Sequence, residues 1–344
     1  MKKLLSLIFA LLMITLIFAS CDTGGVEISS EPVSEASSVE VSSTEKNEVT
    51  SIVDSQDNLL TKKATYDPNK KQVLFRSGGY YVLQSDGVVD QINLKDGDYL
   101  ECYIFVDNRF IYATQGDGED GNDHGQLISR DLITGEETII ENAPVTAIAA
   151  DDTYLYYHIM GEVYTNKGRF VKRSVNGEKV EFASEYGLEY APQDFILRDG
   201  MLYYKNLHLY AVSVADWKQP KEVIQPGITY NVFQYASAPE GVICSLFDSK
   251  TEQFAFQYLK DDGKKQTVAE FDRLEDQQWL GVHNNTVYYA LDDVIFSYDL
   301  QSSQTKEIML IPGFNGAEID EKGNLLVSSV EDGKYKVVCT TSEE

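Results

Sequence analysis

The chain has 344 residues, with 55 Asp or Glu against 29 Lys or Arg, a formal charge of −26, and 43% apolar and 11% aromatic content. Such an acidic surface cannot displace counterions from phosphates, which excludes nucleic acid as a partner, and anionic lipid headgroups would repel it. The length and apolar fraction suffice for a large buried core, and neutral or cationic ligands remain open.

Lys2 and Lys3 precede a 15-residue apolar run, Leu4 to Phe18, broken only by Ser6 and Thr15. A membrane span needs about 20 apolar residues, whereas a signal-peptide core is this short. Phe18-Ala19-Ser20-Cys21 resembles the bacterial lipobox, in which small residues precede a cysteine that is diacylated before cleavage; Phe18 stands where Leu is usual. The resemblance implies a lipoprotein signal peptide at residues 1–20 and lipidation, of the palmitate kind, on Cys21. It also implies a place on the extracytoplasmic face of the bacterial cytoplasmic membrane. Ordinary signal cleavage and an uncleaved anchor are the competing readings. Removal of residues 1–20 takes two lysines and no acid, so the acyl chains and not the surface charge must hold the protein to lipid.

Residues 22–57 hold twelve Ser or Thr, nine Asp or Glu, one Lys and no aromatic residue. Such a stretch buries too little apolar surface to offset its ordering entropy, and reads as a disordered stalk on residues 21–57. Its reach is about 30–35 Å root-mean-square. Val49–Val53 alternates weakly and is the one candidate strand within it.

From residue 58 to 344 no apolar set recurs at helical spacing, and short aromatic and β-branched runs alternate with turn residues. One phrase, a polar turn followed by an apolar strand, recurs as KKQVLF, DNRFIY, DDTYLYY, DGMLYY, EGVIC, NNTVYY and KGNLLV, at spacings of 37, 44, 48, 41, 44 and 38. Units of about 40–45 residues with four strands are the signature of propeller blades. The expected fold is therefore all-β, a β-propeller of seven blades, with six full blades and an irregular end unit as the alternative. The last copy ends after KYKVVCTTSEE, one strand short, so closure is expected to mix strands from both ends, with 49–53 as the missing outer strand.

Lipobox, acidic Ser-rich stalk and Tyr-rich blades together resemble the clostridial-type lipoproteins that carry TolB-like or low-density-lipoprotein-receptor-like propellers. There is no WD pattern, YWTD box or strict SPDG phrase. The resemblance implies a role in binding ligands or proteins.

Candidate chemistry is sparse. In ATQGDGEDGNDHGQL, Asp117, Glu119, Asp120, Asn122 and Asp123 offer five oxygen donors among glycines, as a Ca²⁺ loop would. The EF-hand spacing is out of register there, and a solvated surface loop is the competing reading. Beyond Ca²⁺ at this loop no cofactor is expected. The Asp and Asn residues at phrase starts (Asp107, Asn108, Asp151, Asp152, Asp199, Asn284, Asn285) read as turn formers rather than catalytic carboxylates. Cys102, Cys244 and Cys339 lie apart in apolar runs and read as buried free thiols. Trp217, among turn residues in VADWKQP, is a candidate exposed anchor for a sugar ring or protein partner, while Trp279 reads as core.

The leading reading is a monomeric membrane-tethered propeller that binds an envelope protein, peptide or glycan. The alternative is a propeller hydrolase or lyase acting on carbohydrate, with or without Ca²⁺; a sensor-like accessory is a third. An enzyme should gather carboxylates, Arg and Tyr at one channel mouth with a raised carboxyl pKa. A binding module should present an exposed aromatic or apolar patch.

Overall fold

The computed structural model describes residues 58–117, 123–161, 168–174, 180–185, 192–206, 208–215, 221–223, 230–248, 252–271, 277–319 and 323–340. Cys21, the stalk, the expected closing strand at 49–53, Glu119, Asp120, Asn122 and Trp217 lie outside the described residues, as do the side chains of Asp117, Asp123 and Trp279.

Seven antiparallel sheets follow one another along the chain. Blade 1 is β1 (Val73–Arg76), β2 (Tyr80–Gln84) and β3 (Gly87–Ile92). Blade 2 is β4 (Asp98–Val106), β5 (Arg109–Asp117), β6 (Asp123–Asp131) and β7 (Glu137–Glu141). Blade 3 is β8 (Val145–Ala150), β9 (Tyr154–Ile159), β10 (Arg169–Ser174) and β11 (Val180–Glu185). Blade 4 is β12 (Gln193–Arg198), β13 (Met201–Asn206), β14 (His208–Ser213) and β15 (Lys221–Glu222). Blade 5 is β16 (Tyr230–Ala238), β17 (Gly241–Asp248), β18 (Gln253–Lys260) and β19 (Lys265–Phe271). Blade 6 is β20 (Gln277–His283), β21 (Thr286–Leu291), β22 (Val294–Asp299) and β23 (Gln304–Leu310). Blade 7 is β24 (Phe314–Ile319), β25 (Leu325–Glu331) and β26 (Lys334–Thr340). The chain folds as a seven-bladed β-propeller.

The first strands of successive blades touch one another, β4 with β8, β8 with β12 and β20 with β24, and so form the inner wall. Six of the repeated phrases open the second strand of a blade, but KKQVLF opens β1, an inner strand. Blade 1 has no fourth strand between β3 and β4. Its second strand therefore lies unusually close to that of blade 2, and the even spacing had matched the wrong strand of that blade.

Alternate residues of a strand face opposite sides of its sheet, so each blade feeds two cores. On β9, Leu155 and Tyr157 pack against Ile111 and Leu127 of blade 2, while Tyr156 packs against Leu202 and Tyr204 of blade 4. Each of the seven seams has such a core. The last joins Leu326 and Val337 of blade 7 to Val73 and Leu83 of blade 1 through Leu59.

Both ends of the described chain take part in that closure. The Asn58 amide donates to Tyr335 O at 3.0 Å and accepts from Val337 N at 3.1 Å, filling the place of a peptide on the free edge of β26. Lys62–Ala64 then lies parallel to β3, with Val88 N donating to Lys62 O and Ala64 N to Val88 O, each at 2.8 Å. This arm occupies the fourth position that blade 1 lacks. Among the turns, Asp107, Asp199 and Asn284 adopt φ of 51°, 50° and 51°, a region Asp and Asn tolerate better than other side chains.

Candidate functional site

The inner strands carry a shared irregularity. In blades 2 to 7 the pairing of first and second strands slips by one residue, leaving Glu101, Thr146, Asp194, Phe233, Leu280 and Asn315 as the extra residues of six β-bulges. Bulges re-aim a side chain and bend the strand, and they recur beside functional sites. Only β1, the shortest inner strand, pairs without a slip.

Where β1 meets the inner strands of blades 6, 7 and 2, a cavity of about 360 Å³ opens, lined by Phe75, Arg76, Tyr103, Gln278, Asn315, Glu318 and Ser328 among others. The Arg76 guanidinium lies over the rings of Tyr80 and Tyr103, at 5.9 and 5.6 Å from their centroids. It forms no hydrogen bond or ion pair among the described residues. Gln278 also has no hydrogen-bond partner there, and its amide fits because Gly316 lacks a side chain: a Cβ would stand 3.0 Å from Gln278 Nε2. Ser328 Oγ donates to Gly316 O at 2.9 Å and receives a long 3.5 Å contact from Asn315.

Glu318 is the titratable centre of this cavity. Protein surrounds it on most sides while channel water still reaches it, and that burial pushes its carboxyl up to about 7 against the opposing pull of Lys71 and Arg76. Glu101 is held above the usual carboxylate range by burial and then by Asp194, with Arg76 pulling the other way. Tyr103, half-buried beside Glu318, stays protonated. Asp194 sits at φ 51° on its bulge, with its carbonyl taking a hydrogen bond from Tyr235. Thr146 is turned under: its hydroxyl donates to Pro192 O and so accepts the Nδ1 proton of His158, both at 2.9 Å.

A larger groove of about 920 Å³ separates blades 1 and 2, but its polar groups are largely paired with one another. Tyr66 donates to Asp107 O at 2.9 Å, Asn108 to Asp131 at 2.6 Å, and Lys70 binds Asp86 at 2.6 Å. In the axial cavity, by contrast, Arg76, Gln278 and Glu318 converge without such pairings.

Among the described residues that line that cavity there is no site residue expected from sequence. Asp117 and Asp123 are paired across the end of the β5–β6 hairpin, the base of the expected Ca²⁺ loop. Among the described residues no group of three His, Cys, Asp or Glu side chains is placed to hold a metal. Cys102 and Cys244 are buried free thiols, the latter pushed up to about 12, and Cys339 is a half-buried free thiol. Asp151 caps its own turn, accepting from Thr153 N at 2.8 Å and Tyr154 N at 2.7 Å. The signal that could have found the cavity is a charge or amide inside an otherwise apolar inner strand, as in VLFR, DQQWLGV and FNGAEI.

No family model matches the chain, and no curated protein does. Many solved structures do. An oligogalacturonate lyase from Vibrio parahaemolyticus is 11% identical with a TM-score of 0.56, over 84% of this chain and 90% of that one. The extracellular domain of a proposed one-component system from B. thetaiotaomicron is 10% identical with a TM-score of 0.53, over 84% of this chain and 40% of that one. The propeller domain of the trilobed protease of Pyrococcus furiosus, described as having an open velcro topology, is 10% identical with a TM-score of 0.50, over 73% and 83%. At these identities the likeness is one of fold.

Proposed function

We propose that the propeller is a binding module whose ligand, presented at the cell envelope, enters the axial cavity. The observation that carries this reading is the convergence of uncommitted groups there: the Arg76 guanidinium, the Gln278 amide and the Glu318 carboxyl face one small space without partners of their own. Ligand sites are concave spaces on which a few polar groups of different chemistry converge, and a cation, an amide and a carboxyl meet in this one. Pull-down of the protein from envelope extract, beside a glycan array, tests the reading. Failure of both, with turnover of a polysaccharide, would sink it.

The location follows from Cys21, which we take as the lipid-bearing residue at the outer face of the bacterial cytoplasmic membrane. Cys21→Ala should release the protein from membranes, and continued retention would remove the lipid anchor. At the 117–123 loop, a melting temperature unmoved by EDTA and by added Ca²⁺ would remove the calcium site.

One observation favours the enzyme reading. A carboxyl pushed up to about 7, beside Tyr103 and Arg76, suits a general acid for carbohydrate cleavage. Release of reducing ends or unsaturated sugars, lost in Glu318→Gln, would establish it in place of simple binding.

A further inference from the structure

We propose that the axial cavity binds a small carboxylate-bearing sugar, its carboxylate on the guanidinium of Arg76 and its hydroxyls on Gln278, Asn315 and Glu318. This rests on the binding reading above and names the ligand class of that same site.

Arg76 is the first ground. The chain carries 55 acids against 29 basic residues, yet this arginine, in a channel that also holds Glu101, Asp194 and Glu318, is ion-paired to none of them. It lies instead over the rings of Tyr80 and Tyr103, and its N–H groups have no hydrogen-bond partner among the described residues. A guanidinium edge held in place matches a carboxylate with two parallel hydrogen bonds, the geometry that makes arginine selective for this group.

Size is the second ground. A cavity of about 360 Å³ lies at the lower end of the range for small-molecule sites and has room for one or two sugar rings, not for a folded partner. The lining is the third. Amides, a hydroxyl and a carboxyl surround the space, with Phe75 and Tyr103 in the walls, a mixture suited to a ring that bears both hydroxyls and apolar C–H faces.

Charge sets the pH dependence. Glu318 faces Lys71 and Arg76 of blade 1 and the phenol of Tyr103 on β4, while Arg76 also draws on Glu101 of blade 2, which Asp194 opposes from blade 4. With Glu318 neutral the cavity accepts an anion; with Glu318 ionised, a second carboxylate stands beside the incoming one. Binding should therefore weaken as pH rises through about 7.

Titration calorimetry of the full chain with D-glucuronate, D-glucose and acetate, at about pH 6 and about pH 8, tests this. Glucuronate should bind about tenfold or more tightly than glucose or acetate. Arg76→Gln should remove that preference. Glu318→Gln, which keeps a neutral donor, should bind glucuronate alike at both pH values, and Gln278→Ala should weaken glucose and glucuronate equally. Melting curves separate lost binding from lost folding, and if Arg76→Gln unfolds, the Gln278 and Glu318 variants carry the test. Equal binding of glucuronate and glucose, or an undiminished preference in folded Arg76→Gln, overturns the proposal. Capture of a protein partner together with no glucuronate binding also overturns it, while leaving the broader binding reading intact.

Discussion

The titrations of His158 and Glu318 pull stability in opposite directions. His158 is 2% exposed, its Nε2 has no hydrogen-bond partner, and burial pushes its pKa down to about 3. The folded protein thus holds the neutral imidazole, and unfolding takes up a proton at any pH between about 3 and the ordinary value of 6.5. Its contribution is fully present above that range and is lost as pH falls, at about 1.4 kcal/mol per pH unit. Glu318 behaves the other way: its folded value of about 7 lies above the ordinary 4.5, so unfolding releases a proton and stability falls as pH rises across that interval. Denaturation of His158→Asn, which keeps a donor for Thr146, should show a flatter acid limb than the wild type. Glu318→Gln should gain stability over the wild type above about pH 7 and none below about pH 4.5. A third test concerns space: a Cβ at Gly168 would stand 2.1 Å from His158 Nε2, so Gly168→Ala should cost about 2 kcal/mol or more, read as a fall in denaturation midpoint.

At the scale of strands, the bulges are the feature that matters for the site, and they were not legible. Their turns were: DN, DG and NN mark hairpins because Asp107, Asp199 and Asn284 adopt left-handed backbone at low cost. The alternation in TYLYY also foretold that Tyr156 and Tyr157 would enter different cores. A bulge, by contrast, is a property of two strands in register, and neither strand alone contains it. In the sequence Arg76 stands beside the SGG turn and Glu318 just before Asp320 and Glu321, and nothing in those neighbourhoods singles out either residue. Only the closed ring places them around one cavity. The expected Ca²⁺ and Trp217 sites rested on local composition, which says what a loop can hold but not what it faces. Asp194 supplies the test at this scale. At φ 51° a β-branched residue is strained, so Asp194→Val should cost about 1–2 kcal/mol in chemical denaturation, while Asp194→Gly should be near neutral.

For the whole molecule, seven cores in a ring mean that no blade buries its surface alone, and the core least extensive among the described residues, at the seam of blades 7 and 1, sets where the ring opens. Asn58 and Leu59 hold that seam from outside the blades, one by two hydrogen bonds to β26 and the other by burial. Asn58→Ala should lower stability by about 1–2 kcal/mol. Hydrogen exchange of the Val337 amide should accelerate more than that of amides in blades 3 to 5; uniform acceleration would contradict a preferred opening point.

Asn58 is also where the N-terminal 57 residues enter the propeller. Any force transmitted along that segment arrives first at the Asn58 amide and the bonds it makes to Tyr335 and Val337. A pull applied from the N-terminal side of Asn58 therefore strains the ring's own clasp before it reaches any blade. Stretched from its N-terminus, the protein should part at the join and only later unravel sheet by sheet.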